Sequence, residues 1–259
     1  MELGAALMLA AQFAAPQGKI KSPLSGIRFI PAHGEFPPRV YATDLLAAVQ
    51  LDVDVDVPNF VGDATGIMAA LKADRSGVIY FDKGSAIQIA GYKFSEWCPV
   101  DQYPGTLPVP SADHFRMMRG SGGIPKVIHA VGSDTAKPEL AYCGVSPGAV
   151  DATDGTRIAT VPVGWDRAFQ VHWSCFRADW PHAPADVAIG SHHVVWCWPG
   201  QIRWGDLYRG HSLRPFPDLS KFRSQPTPIQ VVVPRLALRG SVRRAAQALR
   251  QVTLRAREG

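Results

Sequence analysis

The stretch Asp151-Ala-Thr-Asp-Gly-Thr-Arg-Ile-Ala-Thr-Val-Pro-Val163 decides the fold that this sequence predicts. Its central pair, Asp154-Gly155, is a strong signal for a tight turn, because glycine accepts a positive φ without steric cost. Strand-forming residues lie on both sides of the pair. The stretch therefore predicts a β-hairpin with Asp-Gly at its tip.

The Ala-Thr-Asp of this hairpin occurs twice in the chain. The first copy, Ala42-Thr43-Asp44, precedes the second by 110 residues (152 − 42). Two further landmarks repeat at nearly the same spacing, namely residues 78–91 with 187–200 and Tyr103-Pro104 with Phe216-Pro217. Three landmarks in the same order predict two copies of one domain, because the period is too long for a solenoid.

Composition predicts a folded protein with substantial cores. The chain has 259 residues, 46% hydrophobic and 19% charged, which suits two domains and excludes a disordered chain. Its four cysteines form no C-x-x-C pair, so neither a disulfide framework nor a zinc site is expected. The apolar residues 1–15 carry Glu2 and no basic residue, which favours an amphipathic helix over a signal peptide. We expect a cytoplasmic protein.

The positive charge of the chain is concentrated in its last segment. The net charge is +5, and residues 226–259 contain seven arginines and one glutamate. Arg235, Arg239 and Arg243 follow one another at i+4 spacing on the helix predicted over residues 235–250. A local basic face of this kind suits an anionic partner such as nucleic acid.

Hydrophobic patterning predicts the elements of each copy. Expected in the first copy are helices over 1–15 and 62–73, strands over 78–81, 86–89 and 93–98, and strand-rich stretches over 27–30 and 40–57. Expected in the second are helices over 122–131 and 166–178 and strands over 114–119, 186–189, 193–198 and 201–208, besides the hairpin. Strict alternation of Asp and Val over 52–57 predicts a half-buried strand. The expected domains are residues 1–107, 108–225 and 226–259, joined first by the Pro- and Gly-rich residues 101–110.

Two groups of residues allow a catalytic or metal-binding interpretation. His192-His193 with Cys197 lack a further ligand pair at zinc spacing, so no metal is expected. Asp44 and Asp154 could form a pair of carboxylates for glycoside hydrolysis. Because each occurs once per copy at a turn, capping of local backbone N–H groups is the favoured role.

Several of these motifs together resemble the bacterial DNA polymerase III β sliding clamp family. They are the repeated Ala-Thr-Asp, Gly155 with Arg157, the Ile-Gly-Ser-x-x-Val strand at 189–194, and Phe-Pro-Asp at 216–218. The resemblance implies an α+β fold of duplicated domains, with antiparallel sheets outside and helices lining a central channel around duplex DNA. It implies a processivity factor that tethers polymerases and other replication or repair proteins, without enzymatic activity or a cofactor.

The resemblance also implies two sets of site residues. Contacts to DNA phosphates, without base reading, would come from basic residues on inward helices and loops: Lys19, Lys21, Lys72, Lys126, His129, Lys137, Arg167, Arg239 and Arg243. A pocket for partner peptides, such as polymerase and clamp-loader peptides, would be formed by Leu140, Thr153, Gly155, Thr156, Arg157, Ile158, Pro217, Lys221 and Phe222. Thr156 stands where the family usually has histidine.

Ring assembly is the point on which the sequence leaves alternatives open. Compared with the family, the first domain lacks its opening strand, and residues 226–259 form only a partial third domain or a docking tail. We expect either a fragment or a chain whose copies close head to tail as a trimer. The rival functions are a DNA-binding replication-accessory protein that forms no ring and, with less support, a small hydrolase.

Overall fold

The computed structural model describes residues 1–18, 21–73, 79–82, 86–89, 91–105, 114–116, 129–132, 137–178 and 186–207, with Pro217 and Leu219. The chain divides into two compact units, residues 1–217 and 218–259. All the elements described below belong to the first unit. In the described part of the chain, no helix is long and apolar enough to cross a membrane.

The described part of the structure consists mainly of antiparallel strands, with two short α-helices in the first half. The α-helices are α1 (Leu3–Ala10) and α2 (Ala64–Ala73). The strands before residue 100 are β1 (Gly26–Ile30), β2 (Arg39–Thr43), β3 (Ala47–Asp52), β4 (Phe60–Asp63), β5 (Ile79–Asp82), β6 (Ala86–Ile89) and β7 (Tyr92–Ser95). The later strands are β8 (His114–Arg116), β9 (Tyr142–Ser146), β10 (Ala149–Thr153), β11 (Ile158–Pro162), β12 (Phe169–His172), β13 (Asp186–Ile189), β14 (His193–Trp198) and β15 (Gln201–Asp206).

The same strand order occurs in both halves of this unit. The first half contains β4-β1-β2-β3, and the second contains a sheet ordered β12-β9-β10-β11. The first half also contains the meander β5-β6-β7, which has its counterpart in β13-β14-β15. Glycines with positive φ occupy equivalent turns, Gly91 after β6 and Gly200 after β14. The two copies of Ala-Thr-Asp therefore fall on equivalent hairpins, and the described parts of 78–91 and 187–200 fall on equivalent meanders. Phe216, in the third landmark, lies outside the described residues.

The two halves share one sheet. Strand β3 of the first half pairs with β15 of the second, from Leu51 opposite Gln201 to Ala47 opposite Gly205. The result is an eight-stranded antiparallel sheet ordered β4-β1-β2-β3-β15-β14-β13-β8. A backbone ladder thus joins the halves directly, and we call the β3–β15 pairing the inter-repeat junction.

Both faces of the eight-stranded sheet are packed. On one face, helices α1 and α2 contact each other and the strands of the first half. Ala6, Leu7, Phe29 and Val49 belong to the core on this side. On the other face, Tyr41 packs edge-on against Tyr103 and Trp204, at ring-centroid distances of 5.8 and 5.7 Å. Tyr103 comes from the segment after β7, which therefore packs on this second face of the sheet.

The helix expected over residues 62–73 begins two residues later than predicted. Strand β4 ends at Asp63, whose carboxylate accepts hydrogen bonds from the backbone N–H groups of Thr65 and Gly66, both at 3.1 Å. This is the usual N-cap arrangement. The helix expected over residues 1–15 is shorter, ending at Ala10 and followed by turns. The helix expected over residues 122–131 lies almost wholly outside the described residues.

The strand predicted over residues 52–57 is wrong. Strand β3 ends at Asp52, and the chain then turns, with the N–H of Val53 donating to Pro38 O at 2.9 Å. Val53 and Val57 are buried, but Val55 is exposed. Alternation in the sequence therefore does not correspond to one apolar face, because the backbone leaves the sheet after Asp52.

The helix predicted over residues 166–178 is also wrong. Phe169–His172 form strand β12, which pairs with β9 in a register that places Phe169 opposite Val145. A short 3₁₀ helix, Trp173–Phe176, follows. Pairing with a strand distant in sequence takes these residues into the sheet, so Arg167 lies in a loop before β12 rather than on a helix.

Candidate functional site

The second hairpin is closed by its own threonine and aspartate. Residues 154–157 connect Thr153 to Ile158, and Gly155 has a φ of 87°. The hydroxyl of Thr153 accepts from the N–H of Gly155 at 3.0 Å and donates to Arg157 O at 2.8 Å. Oδ1 of Asp154 accepts from the N–H groups of Thr156 and Arg157, both at 2.9 Å. The loop N–H groups after Asp154 are thus satisfied locally.

An ion pair also stabilises this turn. Oδ2 of Asp154 accepts from Nε of Arg157 at 2.7 Å, and the hydroxyl of Thr156 donates to Oδ1. The hydrogen bond from the Thr156 hydroxyl, followed by those from the Thr156 and Arg157 N–H groups, lowers the pKa of Asp154 well below its usual range. The carboxylate is therefore charged at neutral pH and fully engaged in holding the hairpin tip.

The first hairpin repeats this chemistry with one difference. The hydroxyl of Thr43 accepts a hydrogen bond from the N–H of Leu45 and donates one to Ala47 O. Oδ1 of Asp44 accepts from the N–H groups of Leu46 and Ala47 at 2.9 and 2.8 Å. Leu45 stands at the position of Gly155 and has a φ of 72°, which is unfavourable for a side chain with a Cβ. The capping role expected for both aspartates is confirmed.

Asp44 has a distant partner where Asp154 has a local one. Its Oδ2 is paired with Nη2 of Arg177, which lies 133 residues further along the chain. Nη1 of Arg177 also donates to Gln12 O at 3.2 Å, and the guanidinium lies 5.0 Å from the Trp173 ring centroid. This ion pair ties the first hairpin to the second half, beside the inter-repeat junction.

The residues expected to form the peptide pocket are partly brought together. Leu140 is buried at the end of the 3₁₀ helix Pro138–Ala141, and a Cβ added to Gly155 would lie 3.8 Å from its Cδ1. Leu140 therefore supports the hairpin tip. Thr153 is buried, while Thr156, Arg157 and Ile158 are exposed beside the tip. Pro217 is exposed, and Lys221 and Phe222 lie outside the described residues.

Gly132 is a member of this site that sequence analysis missed. Its N–H donates to Leu140 O at 2.9 Å. A Cβ at this position would lie 2.7 Å from Cβ of Leu140 and 3.6 Å from Cα of Asp154. Only glycine fits without a shift of the neighbouring chain. No local signal marks it, because its neighbours come from other segments.

The basic residues expected to contact DNA lie on several elements. Lys72 is exposed in the last turn of α2, and it is the one described candidate on an α-helix. Nζ of Lys21 lies 4.3 Å from the Trp97 ring centroid. His129 and Lys137 are exposed, and Arg167 is 3.9 Å from Asp166. Outside the described residues lie Lys19, Lys126, Arg239 and Arg243.

A buried histidine and serine beside the junction form a cap. Nδ1 of His172 lies 2.7 Å from the Ser174 hydroxyl and accepts from the Ser174 N–H at 3.3 Å. Burial lowers the pKa of His172 to about 4. Ser174 is fully buried, which leaves no access for a substrate. The pair therefore begins the 3₁₀ helix Trp173–Phe176 rather than providing a nucleophile and its base.

Comparison with solved structures identifies the fold. The DNA polymerase III β subunit of Thermotoga maritima matches with a TM-score of 0.66 and 18% identity, over 85% of this chain and 65% of that one. The sliding clamp of Bacillus subtilis matches with a TM-score of 0.61 and 14% identity, over 86% and 66%. This chain has the sliding-clamp fold. The β clamp of Helicobacter pylori, solved with a DNA ligase peptide, gives a TM-score of 0.59 and 14% identity.

The similarity to clamps is structural. No protein-family model and no curated protein matches the sequence. The chain spans 65–66% of the length of the clamps described above. The resemblance found in the sequence is confirmed at the level of the fold, and the α+β class with antiparallel sheets is confirmed with it.

Proposed function

We propose that this chain is a sliding-clamp-like processivity factor that encircles duplex DNA and tethers polymerases and other replication or repair proteins. The observation that supports this most is the inter-repeat junction, in which equivalent halves share one antiparallel sheet with helices packed on one face. Further halves can be added by the same strand pairing, which is how repeated domains extend into a ring. The proposal places the chain in the cytoplasm, with DNA.

Sliding requires contacts to phosphates that carry no sequence information. Phosphate contacts from lysine and arginine supply affinity in any sequence, whereas base contacts would hold the protein in place. Exposed Lys72 on α2 has the right character, and α1 contributes no basic residue to this surface. The other candidates of the basic set remain predictions from the family resemblance.

The proposal assigns no catalytic step to the chain. The repeated carboxylates, Asp44 and Asp154, are fully engaged by hairpin N–H groups and arginines. Such carboxylates stabilise a turn and are not poised to exchange protons with a substrate. This geometry argues against the hydrolase alternative.

Partner proteins would bind at the tip of the second hairpin. Exposed Ile158 and Arg157 beside a tip supported by Leu140 offer an apolar contact with a cationic edge. Short linear peptides with apolar anchors bind to surfaces of this kind. We assign Phe222, Lys221 and Pro217 to the same pocket from the family resemblance.

The clamp function predicts retention that depends on DNA topology. Protein assembled at high concentration with circular duplex DNA is expected to co-elute with it after dilution, and to be released when a restriction enzyme linearises the DNA. Raising the salt concentration should weaken contacts between the protein and the DNA phosphates. It should not release a protein that encircles circular DNA. Gel filtration of labelled protein measures both. Equal retention on circular and linear DNA would instead favour the accessory protein without a ring, and no retention on either would contradict both.

The pocket predicts a loss of peptide affinity on truncation of its anchors. Leu140→Ala and Phe222→Ala are each expected to weaken binding of a fluorescent polymerase-tail peptide by about 1–3 kcal/mol, as buried apolar anchors do. Val55→Ala truncates an exposed apolar side chain elsewhere on the surface and should leave binding unchanged. Fluorescence anisotropy measures affinity, with melting temperature as the folding check. Unaltered affinity in both folded variants would contradict the proposed pocket.

A further inference from the structure

We propose that the tip of the first hairpin is a docking site for a partner protein, which binds through a short basic peptide with apolar anchors. The site is centred on Leu45 and Leu46, which we call the leucine tip. It lies at the inter-repeat junction and is separate from the tip of the second hairpin. The inference goes beyond the proposed function and does not require that the chain encircles DNA.

Leu45 is unfavourable in the folded chain for two reasons. Its φ of 72° lies in the left-handed region, which a side chain with a Cβ disfavours. Gly155, at the equivalent position of the second hairpin, adopts a φ of 87° without this strain. The Leu45 side chain is also 58% exposed, so burial does not offset the strain. A residue that is both strained and exposed suits a role in binding a partner.

Leu46 extends the exposed apolar surface to the second half. Its side chain is 39% exposed. The N–H of Asp206 donates to Leu46 O at 2.8 Å, which continues the pairing by one residue beyond Ala47 opposite Gly205. Leu46 therefore lies opposite Asp206, and the leucine tip adjoins the end of β15.

A series of contacts leads from Asp206 back toward Leu45. Oδ2 of Asp206 accepts from the Tyr142 hydroxyl at 3.0 Å, and the Tyr142 ring centroid lies 5.2 Å from that of His172. The His172 ring centroid in turn lies 5.9 Å from that of Trp173. Three aromatic rings of the second half thus lie next to one another beside the junction.

The series of contacts closes at Asp44. The Arg177 guanidinium lies 5.0 Å from the Trp173 ring centroid and pairs with Asp44, the residue before Leu45. Trp173 is partly exposed. The surroundings of the leucine tip therefore include an aromatic ring, and leucines beside an aromatic ring suit the apolar anchors of a peptide.

The uncompensated charge beside the leucine tip is negative. Arg177 and Asp44 neutralise each other. Asp206 is partly exposed, and its carboxylate accepts from Tyr142 but pairs with no cation among the described residues. A carboxylate next to exposed leucines favours a ligand that carries a positive charge beside its apolar residues. The same charge disfavours duplex DNA, because it repels phosphates.

Binding of defined peptides tests the site in the full 259-residue chain. The probe is a short fluorescein-labelled peptide with two adjacent leucines flanked by lysines, and its counterpart has glutamates in place of the lysines. Anisotropy at low salt is expected to show about fivefold tighter binding of the lysine peptide. Asp206→Asn, which keeps an acceptor for Tyr142, should remove most of this difference. Absence of binding, equal affinities, or a preference that Asp206→Asn leaves intact would overturn the proposal.

Leu45→Gly separates binding from folding. Glycine adopts the φ of this position freely, so the melting temperature is expected to rise by about 2 °C. Affinity for the lysine peptide is expected to fall about tenfold, as on loss of an apolar anchor. A lower melting temperature would show that Leu45 stabilises the fold, and an unchanged affinity would show that it does not bind the peptide. Either result contradicts the proposal.

Leu46→Ser tests the second leucine, with Val55→Ser as its control. The two original side chains are 39% and 43% exposed. Leu46→Ser keeps the backbone groups that bond Asp44 and Asp206. It is expected to weaken binding of the lysine peptide about tenfold, whereas Val55→Ser should leave binding unchanged. Equal losses would show that the peptide binds exposed apolar side chains without selectivity, which contradicts a site at the leucine tip.

Two further measurements distinguish other outcomes. If Leu45→Gly and Leu46→Ser lowered self-association of the chain in sedimentation velocity without peptide, the occupant would be a second copy and the proposal would be wrong. Retention on circular DNA concerns the clamp function alone. A chain that binds the lysine peptide at the leucine tip but is not retained on DNA would support this site and contradict the clamp function.

Discussion

Asp44→Ala is expected to lower the free energy of unfolding by about 3–5 kcal/mol, the effect of removing one member of a buried ion pair. The side chains of Arg177 and Asp44 are 19% and 9% exposed, so the variant leaves a largely buried guanidinium without its carboxylate. It also removes the acceptor for the N–H groups of Leu46 and Ala47. Urea unfolding followed by tryptophan fluorescence measures the loss.

Asp154→Ala is the matched control, since Asp154 caps its hairpin in the same way. Its arginine, Arg157, is 66% exposed and local, so water can replace the lost carboxylate. We expect a clearly smaller loss than in Asp44→Ala. Asp44→Asn, which keeps an oxygen acceptor without the charge, should fall between them. Equal losses in the two alanine variants would show that the distant ion pair adds nothing to the cap.

The second large effect is a loss of stability in acid caused by His172. Burial holds its folded-state pKa at about 4, below the 6.5 of an exposed histidine. Above pH 6.5 His172 is neutral in both the folded and the unfolded chain, and its full contribution to stability is present. Between pH 6.5 and 4 the unfolded chain takes up a proton that the folded chain does not. Stability should therefore fall by up to about 3 kcal/mol over this window.

His172→Asn isolates this contribution. Asparagine can accept from the Ser174 N–H as an N-cap but does not titrate. The other charged groups that act on His172, namely Asp44, Arg177 and Asp206, remain in the variant. The stability of the original chain should decline more steeply between pH 6.5 and 4 than that of the variant. If urea unfolding showed that the free energy of unfolding declines equally with falling pH in the two proteins, the assignment to His172 would be refuted.

Sequence predicted the parts of the fold that depend on local signals. Gly155 marks the turn of one hairpin, and Thr43-Asp44 mark the other even though Leu45 replaces the glycine. The meander strands β13 and β14 fall where their apolar patterns indicated, as does β6. Threonine and aspartate act on neighbours within four residues, so their effect can be inferred without the rest of the chain.

The errors come from contacts between distant segments. Phe169–His172 join a strand rather than a helix because β9 offers an edge in register. After Asp52 the alternating residues leave the sheet because their backbone groups find other partners, such as Pro38 O. No sequence pattern around Arg177 indicates that it forms an ion pair with a residue 133 positions away. The alternating and helical patterns are present in these stretches, but contacts with distant segments determine their structure.

The candidate site was predicted unevenly for the same reason. Leu140 was assigned from the family resemblance, and the structure places it under the tip at Gly155. Gly132 was missed because its close neighbours, Leu140 and Asp154, come from later segments. Arg167 was assigned to a helix that does not form, so its position relative to DNA remains a prediction.

The inter-repeat junction has a mechanical consequence. Bending between the two halves would have to break the β3–β15 ladder, pull Arg177 from Asp44 and expose Tyr41, Tyr103 and Trp204 together. We therefore expect the two halves to move as one stiff body rather than as two bodies on a hinge.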